Sequence, residues 1–358
     1  MKTRRSQETS QRPTRRCYML DEIHQQPAIL ERLLSGRDHT STLETLRRLK
    51  PSMVLFAARG TSAHAAFYAR YLLERYVGTP VTVAALSLFT QYRVHPHLMG
   101  ALVIGISQSG QAPDAVEVLD TARKMGAFTL AITNTPGSPI TEPAHEVMLL
   151  GAGRETAVAA TKTYTGELAA LLLVTQALGG RLPRTLSAIP EHTAHALARE
   201  ELIASLAPRL RFATRMVLLG RAFDYCTVHE AALKLQETCY LAAIGHSAAD
   251  FLHGPIAMLE EQVPVMVYAP AGKTLPFMTQ VLRRIQDIGS ETCVVTNSAR
   301  LAHAGLARLT VELAPGLDEV YMPFPHIVLA QMLAAHLAVE KGLDPDKPRE
   351  LTKVTRTL

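Results

Sequence analysis

Short runs of β-branched and aliphatic residues alternate along this chain with longer stretches whose apolar positions recur every three or four residues. Met53–Gly60 (MVLFAARG), Ala101–Ser107 (ALVIGIS) and Phe128–Asn134 (FTLAITN) are nearly unbroken apolar runs of strand length, as expected of strands buried on both faces of a parallel sheet. Between the second and third, Ala115, Val118, Leu119 and Ala122 fall on one helical face, and Pro113 suits the first turn, where its missing N–H would have no partner anyway. This alternation predicts an α/β fold with a parallel sheet.

The same order of landmarks returns about 160 residues later. Gly60 and Gly220 each end an apolar run, Phe89 in SLF corresponds to Phe251 in ADF, and Gly110 corresponds to Gly272. GAFTLAITN (Gly126–Asn134) and GSETCVVTN (Gly289–Asn297) place Thr-Asn at one distance after a helix-ending glycine. Four landmarks in one order predict two copies of a doubly wound α/β unit, joined through a helical stretch around residues 180–210 where RLPRTLSAIPEH carries the prolines. The expected organisation is a disordered basic leader (1–17), a first domain with an N-terminal helix (18–195), a second domain (196–337) and a C-terminal tail or lid (338–358).

Composition narrows the classes. A chain of 358 residues that is 47% hydrophobic has ample material for two cores. No unbroken apolar run reaches the roughly 18 to 20 residues of a membrane helix, so no membrane role is expected. The net charge of +5 is a property of the leader, which holds six basic residues and one acidic one and leaves the body neutral. No folded face interleaves basic and aromatic residues, which argues against nucleic acid. Cys17, Cys226, Cys239 and Cys293 form no CxxC pair and the 14 histidines are scattered, so neither a metal nor a disulfide framework is expected. A reducing, cytoplasmic setting fits.

The two copies differ where a doubly wound sheet does chemistry. After its second apolar run the first copy has SQSGQ, whereas the second has APAGK. Ligands of such sheets bind beyond the carboxyl ends of the strands. There Ser107, Gln108 and Ser109, together with Gly60, Thr61 and Ser62 of RGTSAHA, could donate to one anion beside helix N-termini. Taken singly, each loop is equally a helix cap. Neither GxxxxGK[ST] nor GxGxxG is present, so a small phosphorylated metabolite is favoured over a nucleotide.

GTS, SQSG, AATKTYTGEL, EAALKLQET, FLHGPIAM and the ending DKPRELTKVT resemble the paired sugar isomerase (SIS) domains of glucosamine-6-phosphate synthase and of the related glucosamine-6-phosphate deaminases. The resemblance runs from Met19 to the C-terminus. It implies two tandem flavodoxin-like SIS domains and a homodimer whose subunits share their sites, with no cofactor and no metal. No glutaminase segment is recognisable, so the expected reaction is aldose-ketose isomerisation with deamination, glucosamine 6-phosphate giving fructose 6-phosphate and ammonia. A non-catalytic sugar-phosphate sensor and a fructosamine-phosphate deglycase are the alternatives.

The resemblance also assigns residues. Glu237 falls at the position of the C1/C2 proton-transfer base, with Lys234 as its neighbour. Read from spacing alone, Glu230, Lys234 and Glu237 would form an exposed helix face opposite Val228, Ala231, Leu235 and Cys239. His253 falls at the ring-opening position, contributed by the adjacent subunit; a lone histidine between apolar residues is otherwise a packed or capping group. Lys353, in a tail that would otherwise fray, becomes a lid residue able to form a Schiff base through a lysine of lowered pKa, with Arg349 holding the segment. Val158 and Ala160 correspond to backbone contacts of the substrate and Glu155 to a residue near the sugar hydroxyls. Ala112 stands where the family commonly places another hydroxyl, and ADFLH replaces GELKH before the histidine.

Overall fold

The computed structural model describes residues 16–353, so most of the leader and the last five residues lie outside it. Two five-stranded parallel sheets account for the repeat. The first orders β1 (Val54–Ala57), β2 (Val81–Val83), β3 (Leu102–Ile106), β4 (Phe128–Thr133) and β5 (Glu146–Leu149) as β2-β1-β3-β4-β5. In the second, β6 (Arg215–Gly220), β7 (Ala242–Ser247), β8 (Val265–Tyr268), β9 (Thr292–Thr296) and β10 (Leu309–Glu312) take the order β7-β6-β8-β9-β10. Both are the 2-1-3-4-5 order of a doubly wound sheet, whose switch point lies between the first and third strands.

The central strands are buried along their whole length, which is why they read as continuous apolar runs. The Pro113–Lys124 helix buries the expected Ala115, Val118, Leu119 and Ala122. Asn134 and Asn297, the repeated Thr-Asn landmark, have a structural role in common. Each amide bonds to the loop beyond the last strand of its own sheet, Asn134 to the Gly153 carbonyl and Asn297 to that of Leu317.

Between the sheets the Gly60–Tyr76, Lys162–Ala177, Asp224–Cys239 and Pro323–Glu340 helices pack into one apolar core that contains residues of both repeats. The segment Glu319–Glu340 is long and apolar enough to cross a membrane, with a mean hydropathy of 1.4, although His326, Gln331 and His336 interrupt its apolar run. In this fold 89% of its 18-residue apolar window is buried inside the protein, as a core helix is. Helices Ile189–Leu197 and Pro323–Glu340 run across the boundaries expected at 195/196 and 337/338, because each is held by the shared core rather than by one sheet.

The first and last described segments are clasped together. Asp346 accepts the backbone N–H groups of Tyr18 and Met19 at 2.9 and 2.7 Å, capping the Tyr18–His24 helix, and its carbonyl accepts the Val158 N–H at 3.1 Å.

Candidate functional site

A cavity of about 330 Å³ opens at the switch point of the first sheet, within the size range of small-molecule sites. Its floor is made by Arg59, Gly60, Thr61 and Ser62 after β1 and by Ser107, Gln108 and Ser109 after β3. Gly60, Thr61 and Ser62 open the Gly60–Tyr76 helix, so their N–H groups lack intrahelical acceptors and carry the positive end of the helix dipole. The SQSG loop is pinned rather than loose: Asn134 N–H donates to the Gln108 carbonyl and Gly110 N–H to the Ser107 hydroxyl and carbonyl oxygens. Gly110, at φ +65°, lies so close to Ser138 that a Cβ there would collide with it. Ser107 and Ser109 accept backbone N–H groups through their hydroxyl oxygens, which leaves each hydroxyl proton to be given to a ligand.

The other two hydroxyls depart from expectation. Thr61 Oγ1 donates to Glu230 Oε1 at 3.0 Å and receives a bond from Lys234 Nζ at 3.3 Å, while Ser62 Oγ donates to Glu167 Oε1 at 2.8 Å. Both are turned into the protein, so Thr61 and Ser62 offer the cavity their backbone amides.

The second domain reaches this cavity through the Asp224–Cys239 helix. Val228, Ala231, Leu235 and Cys239 are buried as spacing predicts, but Glu230 and Lys234 are fully buried as well. The face read as solvated packs against the first domain. Lys234 Nζ lies 3.2 Å from Glu230 and 2.7 Å from Glu237. Burial pushes the Lys234 ammonium down, but the two glutamates outweigh it and hold it above its ordinary value. Burial likewise pushes the Glu230 carboxyl up, and Lys234 with His64, 2.7 Å away, brings it below the usual carboxylate range. Glu237 is the member of this row that lines the cavity, its side chain 22% exposed.

The tail closes the third side with Leu351, Thr352 and Lys353. Lys353 Nζ bonds to Glu155 Oε2 at 2.7 Å and to the Ala157 carbonyl at 2.8 Å. Burial raises the Glu155 carboxyl, but Lys353 and hydrogen bonds from Thr161 and Thr163 overcome this and hold it low. Glu155 therefore anchors the lid lysine and the start of the Lys162–Ala177 helix from just behind the cavity lining. A Schiff base on Lys353 would have to break this ion pair.

Of the anticipated site residues, Gly60, Thr61, Ser62, Ser107, Gln108, Ser109, Val158, Ala160, Glu237 and Lys353 line one cavity. Lys234 stands behind Glu237. Arg349 does not reach the cavity: its guanidinium lies 4.1 Å from the Tyr240 ring centroid and its backbone N–H donates to the Tyr240 hydroxyl, which fastens the tail. His253 is exposed and outside the cavity. Arg59 is the charged lining residue that sequence reasoning passed over, beside Ile106, Leu351 and Thr352. It pairs with the buried Asp114, and its position just before Gly60-Thr61-Ser62 was the available signal. Among the described residues no group of three His, Cys, Asp or Glu side chains is placed to hold a metal ion.

A family model described as SIS domain matches residues 49–177 and 209–341. Over 341 residues, 94% of this chain, the sequence is 34% identical to the glutamine–fructose-6-phosphate aminotransferase (isomerizing) of Methanothermobacter thermautotrophicus, of which it spans 57%. A solved candidate phosphosugar isomerase from Silicibacter pomeroyi is similar at TM-score 0.81 and 30% identity, over 92% of this chain and 100% of that one. The glucosamine-6-phosphate deaminase of Thermotoga maritima shares the fold at TM-score 0.77 and 20% identity, over 95% and 100% of the two chains.

Proposed function

The chain belongs to the SIS-domain family, and from that premise we propose that it is an amino sugar phosphate isomerase and deaminase, converting glucosamine 6-phosphate and water to fructose 6-phosphate and ammonia. One observation carries this reading: Glu237 of the second domain and Lys353 of the tail line the same cavity as the SQSG loop. A binding module needs the loop alone. An isomerase also needs a base and a cation across from the anion.

In this reading the phosphate lies against the Ser107 and Ser109 hydroxyls and the first amides of the Gly60–Tyr76 helix, with Arg59 at its edge. The Glu237 carboxylate takes the proton from C2 and returns it to C1, a transfer suited to one base that reaches both carbons. Lys234 holds that carboxylate in place. The resulting imine at C2 loses ammonia to water. Lys353 polarises the oxygen at the reacting end through its ammonium, without a covalent bond. Ring opening is assigned to His253 of a second subunit, and its exposure outside its own chain's cavity is the placement such sharing requires. The working unit is thus a homodimer, in a cytoplasmic setting.

The test is ammonia release and fructose 6-phosphate formation from glucosamine 6-phosphate, for the wild type beside Glu237→Gln. Turnover that falls about a thousandfold in the variant, within the usual range for loss of a general base, supports the reading. Binding without turnover across a panel of amino sugar and fructosamine phosphates would replace it with a sensor; turnover only of the latter would make the protein a deglycase.

A further inference from the structure

Glu167 is a carboxylic acid that the proposed chemistry does not use, yet it touches the anion site through one atom. It lies on the Lys162–Ala177 helix with 1% of its surface exposed, and its Oε1 accepts the Ser62 hydroxyl at 2.8 Å. Its Oε2 is buried with no hydrogen-bond partner. An ionised carboxylate leaves two oxygens to be satisfied, so an orphaned buried oxygen is costly for the charged form and tolerable for the neutral one. Glu230 and Lys234 face it from the Asp224–Cys239 helix and Glu155 from the loop before its own helix, with Tyr164 on that helix. His64, on the same helix as Ser62, is tied up with Glu230.

A serine hydroxyl has one proton to give. While Ser62 donates to Glu167, that proton is turned into the protein and is lost to a phosphate in the cavity. If the proton sits on Glu167 Oε1, that acid donates to Ser62 Oγ, and the serine proton is released toward the ligand. We propose that Glu167 is a positioning residue that admits the phosphate only in its neutral form, because only then can the Ser62 hydroxyl turn from the protein to the ligand. The inference rests on the reading of this cavity as a sugar phosphate site. Burial, with Glu230 and Glu155 adding to it against the opposing effects of Ser62 and Lys234, raises the carboxyl to about 8. Affinity is therefore full below that value and falls as pH rises through it, by up to about tenfold per pH unit. The ligand's phosphate is already a dianion throughout this range.

The test is calorimetric titration with glucitol 6-phosphate, which has no carbonyl and is not turned over, between pH 6.5 and 9.5, in buffers of different ionisation enthalpy. Wild type is expected to take up close to one proton on binding at pH 9 and to bind at least tenfold more weakly at pH 9.5 than at pH 7. Glu167→Gln, whose amide donates to Ser62 as the neutral acid does, is expected to bind at every pH as wild type does at pH 7, with no proton uptake at pH 9. Wild-type binding without proton uptake at pH 9, or a Glu167→Gln variant that keeps the wild-type pH profile, would overturn the role of Glu167 and leave the sugar phosphate reading intact. Absence of binding at every pH would overturn that reading first, and this inference with it.

Discussion

The two sheets have the same strand order, yet the loops after their third strands have different tenants. In the first copy SQSG looks out on the cavity. In the second, APAGK is occupied from within: the Glu319 carboxylate accepts the Thr274 N–H at 3.3 Å and its hydroxyl at 3.4 Å, just before the Leu275–Ile288 helix. Glu319 packs so tightly on Gly272 that a Cβ there would collide with it. An acidic side chain sits at a helix N-terminus where the first copy leaves room for an anion, and the dipole stabilises either. The second cradle thus holds an anion of its own, and the second domain instead lends Glu237, backed by Lys234, to the lining of the first domain's cavity.

Four experiments sharpen or break this contrast. Making the first loop resemble the second, by Ser107→Ala with Ser109→Ala, should weaken glucitol 6-phosphate binding roughly a hundredfold, since each hydroxyl gives a charge-assisted bond of about 1.5 kcal/mol or more. An unchanged Kd would remove the hydroxyls from the binding account.

The next effect is on folding. Glu167 holds its proton in the folded protein up to about pH 8, whereas an ordinary glutamate releases it near 4.5. Between those values the unfolded chain binds fewer protons, so stability is greatest at low pH in this window and is lost as pH rises. The loss from pH 5 to pH 7 is on the order of 2 kcal/mol, read as denaturation midpoints of the wild type against Glu167→Gln. The Pro323–Glu340 helix has no acidic residue before Glu340, so it carries no counterpart of Glu167. A wild-type slope no steeper than that of the variant contradicts it.

Smaller again, Glu319→Ala should cost about 1 kcal/mol through the lost cap without changing affinity in the first-domain cavity; a change in affinity there would mean that the two cradles communicate. The smallest effect is expected from removing residues 1–16. Stability should stay within about 0.5 kcal/mol and turnover should be unaltered, and a fall in either would give the basic leader a role.

The sequence revealed what depends on local order. Strands buried on both faces read as apolar runs, and the loop contrast between Gly110 and Gly272 is visible in the residue types alone. Hidden were the features that depend on what packs against what. Glu230 and Lys234 have the spacing of solvated helix residues, and only the opposing Gly60–Tyr76 helix makes them a buried relay. Thr61 and Ser62 look like ligand donors until the carboxylates behind them are placed, and those come from residues more than a hundred positions away. Glu155 and Lys353 are separated by 198 residues. Charge pairing at that range leaves no periodic trace, so neither partner announces the other.

The clasp of Asp346 on Tyr18 and Met19 also has a mechanical consequence. A load drawn between the two ends of the chain would run along the tail before reaching either sheet. On the C-terminal side it would part Lys353 from Glu155 and then lift Arg349 off Tyr240, while on the N-terminal side it would fall first on the Asp346 clasp. The sheets bear tension last, so the molecule yields first at its lid and its clasp, and stretching it unroofs the cavity while both domains are still folded.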